Sequence, residues 1–378
     1  MEDETYLGST QYRYFTFTPS KLSQIRQRTN QLATQHLNES IQSAIQAGDL
    51  SDSGQDLLER EPLTAEEELK LVSYYITQSV AICDHFRTGS AVKATTLIFL
   101  QRIYLRISPL QIHPKTLLLP ILYLAFKSEN GVTSASWFIR TAAEAGLTIT
   151  REELLTPEID LAMNLRWAFQ VLHPYRGIEG VKLELLAMQA GTYRGPAGET
   201  APPFEGTRDR IERACGRARI LLTGPALCTD VYFLYTPSQI AMAGIWVQDG
   251  GLIEYFLGVK IKDEAVRQRL LKVIRECGER HLLATKDAPN PYPGLLLRLP
   301  QNGVPISVEI PPELKKEAVR IDKKLFHLKK PLKEAKGKHP PATDTSEEER
   351  RAKKRKLEKE NRDKDDVFGG GGMIKRKQ

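Results

Sequence analysis

Apolar residues in the middle of the chain recur at helical spacing. Leu69, Val72, Ile76, Val80 and Cys83 fall three or four apart, which predicts an amphipathic helix. Thr64-Ala-Glu-Glu67 ahead of them is a capping box, and Thr88-Gly89-Ser90 closes the segment. A second helix is expected from near Ala91 to about Ile107. It carries Leu97, Ile98, Phe99, Leu100 and Ile103, apolar on most sides. His113-Pro114 opens a third, Lys115 to Lys127. Helices that are apolar all round are buried among other helices. A fourth fits Thr133–Ala145. Thr150-Arg-Glu-Glu153 and Thr156-Pro157-Glu158 are competing starts for a fifth, which should end near Phe169.

After His173-Pro174-Tyr175 the helical pattern resumes. Expected helices are Ile178–Gln189, Thr207–Leu222, Thr236 to about Val247, Leu252–Leu257 and Asp263–Leu283. Gly191–Gly206 reads as a Pro/Gly-rich loop, and Thr236-Pro-Ser-Gln239 is a capping box containing Pro. The two sets echo each other: Tyr104-Leu105 precedes His113-Pro114 and an apolar helix, and Tyr232-Phe233 precedes Thr236-Pro237 and another. This favours two similar helical bundles. Ahead of them lies an arm, 1–61, with a helix over about 19–37 started by Thr18-Pro19 and a linker from Asn38 to Glu61. The bundles occupy 62–172 and 173–288. Beyond lie an irregular stretch and a charged helix, 289–330, the helix from Pro312 to Leu328. The tail, 331–378, has too few apolar residues to fold and is expected to be disordered.

Charge changes the picture in one respect. The formal charge is +7, but 15 Lys/Arg against 10 Asp/Glu lie in 331–378, leaving 39 against 37 for the rest. The body is nearly neutral, whereas a DNA-binding body would more often carry a basic face. The four cysteines form no C-x-x-C and no His pair sits at zinc spacing, so buried or free thiols are expected and no metal site. The N-terminus lacks a secretory apolar core, and the longest uncharged apolar run, Thr116–Phe126, is too short to span a bilayer. A soluble intracellular protein with no membrane partner is expected. There is no P-loop, G-x-G-x-x-G, H-E-x-x-H or G-x-S-x-G. Neither catalytic residues nor cofactors are expected; the chain reads as a non-enzyme.

Three segments carry a resemblance. Cys228-Thr-Asp-Val-Tyr-Phe-Leu-Tyr-Thr-Pro-Ser-Gln-Ile-Ala241 closely resembles the second-repeat segment of cyclin H. Leu165-Arg-Trp-Ala-Phe-Gln-Val-Leu-His-Pro-Tyr-Arg176 resembles the junction between that family's repeats. Tyr14-Phe-Thr-Phe17 resembles its N-terminal helix entry. The likeness, to the fungal type, runs in patches over about 12–285. It implies an all-α fold of two tandem five-helix cyclin-box repeats with N- and C-terminal helices. It also implies a regulatory subunit of the cyclin-dependent kinase-activating kinase, which with a RING-finger assembly factor forms a module of TFIIH and phosphorylates the RNA polymerase II C-terminal domain. That role needs no direct nucleic-acid contact.

The family grips its kinase with a Lys closing the third helix and a Glu opening the fifth. Lys127 and Glu158 match these, and Glu129 resembles the acidic residue after the family's lysine. Phe126, Ile159 and Trp167 are candidate apolar anchors. By position alone, Lys127 and Glu158 equally suit the dipoles of their helix ends, and Phe126 and Trp167 equally suit a core. Arg350, Arg351, Lys353, Lys354, Arg355 and Lys356 form a basic run that reads as a nuclear localisation signal or a weak nucleic-acid contact. Thr18-Pro19, Ser108-Pro109, Thr156-Pro157 and Thr236-Pro237 match the minimal proline-directed phosphosite, though helix-start geometry accounts for most of them. The alternatives are another transcriptional cyclin of type C, K or T, and a TFIIB-like DNA-binding factor using the same helical repeat.

Overall fold

The computed structural model describes residues 2–50, 53–131, 134–195, 198–204, 206–279 and 312–338. Among them the regular elements are helices. The arm holds α1 (Glu2–Leu7), α2 (Thr10–Phe15), α3 (Pro19–Gln46) and α4 (Ser53–Glu59). Next come α5 (Ala65–His85), α6 (Ser90–Ile103), α7 (Pro114–Ser128), α8 (Ala135–Glu144), α9 (Arg151–Leu155) and α10 (Glu158–Asn164). A second group follows: α11 (Tyr175–Gln189), α12 (Arg208–Thr223), a 3-10 turn over Pro225–Cys228, α13 (Val231–Leu234), α14 (Pro237–Gln248), α15 (Gly250–Lys260) and α16 (Glu264–Cys277). The last is α17 (Pro312–Lys338).

Local chemistry sets most starts. Thr64 and Glu67 form the reciprocal box at α5, Thr150 and Glu153 at α9, and Thr236 and Gln239 at α14. Both competing starts of the expected fifth helix are used, because Pro157 separates α9 from α10. The element then stops at Asn164 rather than near Phe169, since Arg166 and Trp167 adopt φ of 54° and 56°. The helix expected over 19–37 continues to Gln46, with Ile41 buried one turn beyond Leu37. Part of the expected linker is therefore helical, as α4 is. The C-terminal helix runs past Leu328 to Lys338, so the first residues of the expected tail are helical. The stretch 280–311 and the basic run 350–356 lie outside the described residues.

The chain divides into two compact units. The larger holds the described residues of 1–39 and 61–326, the smaller those of 40–60 and 327–338. In the smaller unit Ile41, Leu50, Leu57 and Leu328 are buried, and Arg60 donates to the His327 carbonyl at 3.3 Å.

In the larger unit α5, α6 and α7 pack together, and α14 lies among α11, α12, α15 and α16. Small residues let α14 sit this close: a Cβ on Gly244 would stand 2.9 Å from Leu222 Cδ1 of α12. The arm's aromatics fill the seam between the two helix groups. Phe15 and Leu22 are buried with Leu105, Ala168 and Phe233, and the Phe17 amide donates to the Phe233 carbonyl at 2.7 Å. Arg26 forks onto Asp230 at 2.9 and 2.6 Å, a charge-assisted bidentate pair. The part of α17 in this unit docks on the first group: Arg320 and Lys324 meet Glu67 at 2.8 and 2.9 Å, while Tyr75 and His113 meet Asp322 at 3.0 and 2.8 Å.

One buried carboxyl makes stability depend on pH. Glu68 of α5 is buried, and the Ser108 hydroxyl donates to it. Burial pushes its pKa up to about 7, against the pull of the Ser108 and Asn30 hydrogen bonds. A raised folded pKa stabilises below the unfolded value, near 4.5, and that stability is lost as pH rises to about 7. The full loss is about 3 kcal/mol. Glu68→Gln should flatten the melting profile between pH 5 and 8 and melt above the parent at pH 8; parallel profiles for the two proteins would refute this.

Candidate functional site

Helix α7 ends in a way that fixes Lys127. Asn130 takes the left-handed conformation at φ 57°, the Glu129 amide donates to the Ala125 carbonyl at 3.0 Å, and the Gly131 amide donates to the Phe126 carbonyl at 2.7 Å. This closes the last turn, where a cation is favoured by the helix dipole. Glu158 is the first residue of α10, where an anion is favoured. The two meet: Lys127 Nζ lies 2.5 Å from Glu158 Oε1. Lys127 Nζ also stands 4.7 Å from the centroid of the Tyr123 ring, one turn back on α7. The pair is partly open to solvent, with side chains 36% and 42% exposed. An exposed pair of this kind adds little to stability.

Beside the pair runs an apolar surface. Ile159 is 65% exposed, Met163 52% and Trp167 62%. Ile159 and Met163 are one turn apart on α10 and share a face. Trp167 follows four residues later, where two consecutive left-handed residues reverse the chain. Such backbone is costly for non-glycine residues and tends to persist where a function uses it. The Arg166 guanidinium lies 5.1 Å from the Tyr14 ring centroid, and the Trp167 ring meets Phe169 edge-on at 6.1 Å. Three large apolar side chains left this exposed within nine residues make the segment a candidate contact surface.

The other two candidates face inward. Phe126 is half-buried in an aromatic cluster with Phe86, Trp137 and Phe138, at centroid distances of 6.1 to 6.4 Å. Glu129 accepts from Thr95 Oγ1 at 2.5 Å and lies 3.7 Å from His173 Nε2. The nearby His173 ring, helped by the Thr95 hydrogen bond, holds the Glu129 carboxyl below its ordinary pKa against the effect of burial. His173 stacks on Tyr175 at 5.3 Å and reaches Tyr232 at 3.4 Å. Glu129 therefore ties the end of α7 to the junction between the helix groups.

A family model described as "Cyclin C-terminal domain" matches residues 173–281. Cyclin CCL1 of Saccharomyces cerevisiae is 30% identical over 265 residues, covering 68% of this chain and 62% of that protein. Cyclin mcs2 of Schizosaccharomyces pombe is 28% identical, covering 65% and 70%. A chain in the structure of the CAK complex from Chaetomium thermophilum bound to ATP-γ-S superposes with a TM-score of 0.67 at 26% identity, covering 91% of this chain and 97% of that one.

The chain is a homologue of these cyclins.

A chain of the yeast TFIIK (Kin28/Ccl1/Tfb3) complex superposes on this cyclin with a TM-score of 0.55 at 27% identity, covering 72% of this chain and 99% of that one. The match to the S. cerevisiae relative spans less than two thirds of that protein's length. All four cysteines of this cyclin, Cys83, Cys215, Cys228 and Cys277, are free and buried. Among the described residues no helix is long and apolar enough to cross a membrane. Sequence reading missed Met163 as part of the open face. Its signal was present, since it falls four residues after Ile159. Tyr123 was missed as the ring beneath the Lys127 ammonium for the same reason: both are i,i+4 relations within one helix.

Proposed function

We propose that the chain is the regulatory cyclin of a cyclin-dependent kinase of the activating type, and that the surface around Lys127, Glu158, Ile159, Met163 and Trp167 grips the kinase. The exposed apolar strip beside the Lys127–Glu158 pair, in a homologue of known cyclins, carries the reading. A kinase needs its αC helix turned inward so that its catalytic Lys–Glu pair forms. A cyclin that binds only the inward state shifts the population toward it. Ile159, Met163 and Trp167 supply the apolar anchors. Lys127 donates to backbone carbonyls or a carboxylate, and Glu158 accepts, so the pair sets register. Phe126 supports the end of α7 from within, and Glu129 braces it against His173.

The cyclin itself supplies no catalytic group. Its repeats span 62–172 and 173–288. The related complexes, named for CAK and for TFIIK (Kin28/Ccl1/Tfb3), support a kinase and an assembly factor as partners. The finer reading is a TFIIH kinase module that phosphorylates the RNA polymerase II C-terminal domain, with nuclear entry directed by the basic run from Arg350 to Lys356.

The test is reconstitution. Added to a purified cyclin-dependent kinase of the activating type, the full chain should raise phosphoryl transfer to a polymerase C-terminal repeat peptide. Ile159→Asp combined with Trp167→Ala should weaken kinase capture by roughly a hundredfold, with thermal stability little changed because both side chains are already in water. No stimulation by the parent chain would remove the functional reading; full capture by the double variant would remove these anchors from the grip.

A further inference from the structure

We infer that Thr156 is a proline-directed phosphorylation site whose modification blocks the grip on the kinase. The effect on capture rests on the proposed kinase-binding surface; the modification itself does not.

Four Ser/Thr-Pro pairs lie in the chain, and their surroundings differ sharply. Ser108 is fully buried and its hydroxyl donates to Glu68. Thr236 is half-buried, and its hydroxyl oxygen accepts from the Gln239 amide as half of the α14 capping box. Thr18 is exposed, but its hydroxyl oxygen accepts from the Lys21 amide. The residues on either side of it are also held: Phe17 is tied to the Phe233 carbonyl, and Leu22 is buried in the seam. A kinase cleft takes its substrate as an open strand, so any of these three would have to give up packing or a cap.

Thr156 itself would give up little, although Leu154 two residues before it and Leu161 five after it are buried and the short helices carrying them would have to loosen. Thr156 is exposed and forms, with Pro157, the two-residue junction between α9 and α10. Those helices have five and seven residues. The Thr156 amide donates to the Glu152 carbonyl at 2.9 Å, and its hydroxyl caps neither helix. Its +1 residue is the proline such a kinase requires.

The location gives the modification its consequence. Thr156 lies two residues before Glu158, the carboxylate paired with Lys127, and three before Ile159. In the transfer, the Thr156 hydroxyl oxygen bonds to the γ-phosphorus of a nucleoside triphosphate. The bond from that phosphorus to the bridging oxygen breaks, the nucleoside diphosphate leaves, and the hydroxyl proton passes to the kinase's carboxylate base. The product adds about −1.5 to −2 charges. Glu152, Glu153, Glu158 and Asp160 already surround the position in sequence. The new dianion competes with the partner for the Lys127 ammonium and brings a hydrated charge to the edge of an apolar face that must shed water to bind. Both effects disfavour docking.

The experiment treats the purified full chain with a proline-directed protein kinase and ATP, maps phosphate by mass spectrometry, and measures capture of a cyclin-dependent kinase before and after. Phosphate should appear on Thr156 ahead of Thr18 and Thr236, and the modified chain should bind roughly tenfold or more weakly. Thr156→Ala should bind as the parent does and keep its affinity after the same treatment. Phosphate absent from Thr156, or present there without loss of capture, would overturn the inference. A Lys127→Glu chain that still captures kinase would sink the grip while leaving the mapped site standing.

Discussion

Lys127→Glu is expected to abolish capture of the cyclin-dependent kinase while leaving the fold intact. In the folded chain the substitution removes one ion pair, Lys127 Nζ to Glu158 Oε1 at 2.5 Å, and brings two carboxylates together. Both side chains are more than a third exposed, so solvent screens the new repulsion. The loss of stability should stay below about 1 kcal/mol. At the proposed interface the same change replaces a donor with an acceptor. Every carbonyl or carboxylate the kinase aims at the ammonium then meets like charge, in a place where docking removes water. Losing one member of such a desolvated pair weakens binding by about 2–5 kcal/mol, and reversal adds repulsion, so affinity should fall more than a hundredfold. The measurement is co-purification of the kinase with the tagged chain, beside thermal melting. Undiminished kinase with the variant would exclude Lys127 from the contact. A collapse in melting temperature would instead make Lys127 a structural residue.

How far the sequence reaches depends on whether the determinant is local. The capping boxes at Thr64, Thr150 and Thr236 are legible because the groups that meet are three residues apart. Lys127 and Glu158 are each legible as helix-end residues, but their meeting across 31 positions rested on family resemblance rather than on any pattern. The exposure of Trp167 was not legible. Nothing in Leu165-Arg-Trp-Ala announces two consecutive residues with positive φ, a conformation usually signalled by glycine or asparagine. The inward commitment of Glu129 was hidden for another reason. Its partners, Thr95 and His173, lie in segments brought together only by tertiary packing. The continuation of α3 was legible in principle, since Leu37, Ile41 and Ile45 keep helical spacing. The polar residues between them masked it.

The least legible residue is also the one on which the arm most depends. Arg102 ends an apolar helix, where a basic residue ordinarily reaches solvent, yet it is 1% exposed. Its guanidinium donates to the Ala168 carbonyl at 3.1 Å and the Gln170 carbonyl at 3.5 Å, and sits 4.4 Å from the centroid of the Phe15 ring. Burial pushes its pKa down to about 9, still well above neutrality, so it stays charged. One side chain thus joins α6, the segment leading to the junction between the helix groups, and the aromatic arm. Arg102→Ala should be the most damaging single change in the fold. It leaves two carbonyls short of a donor, opens a cavity and undercuts Phe15, for a loss of about 3–5 kcal/mol. For a chain of this size that lowers the melting temperature by roughly 4–8 °C. Arg102→Met separates the causes. It refills most of the volume but offers no donor, so it should recover part of the loss and leave the carbonyl deficit. Limited proteolysis should then cut the arm near Phe15 faster in both variants than in the parent. A melting temperature for Arg102→Ala within about 2 °C of the parent would mean that packing elsewhere holds the seam and that the guanidinium is dispensable.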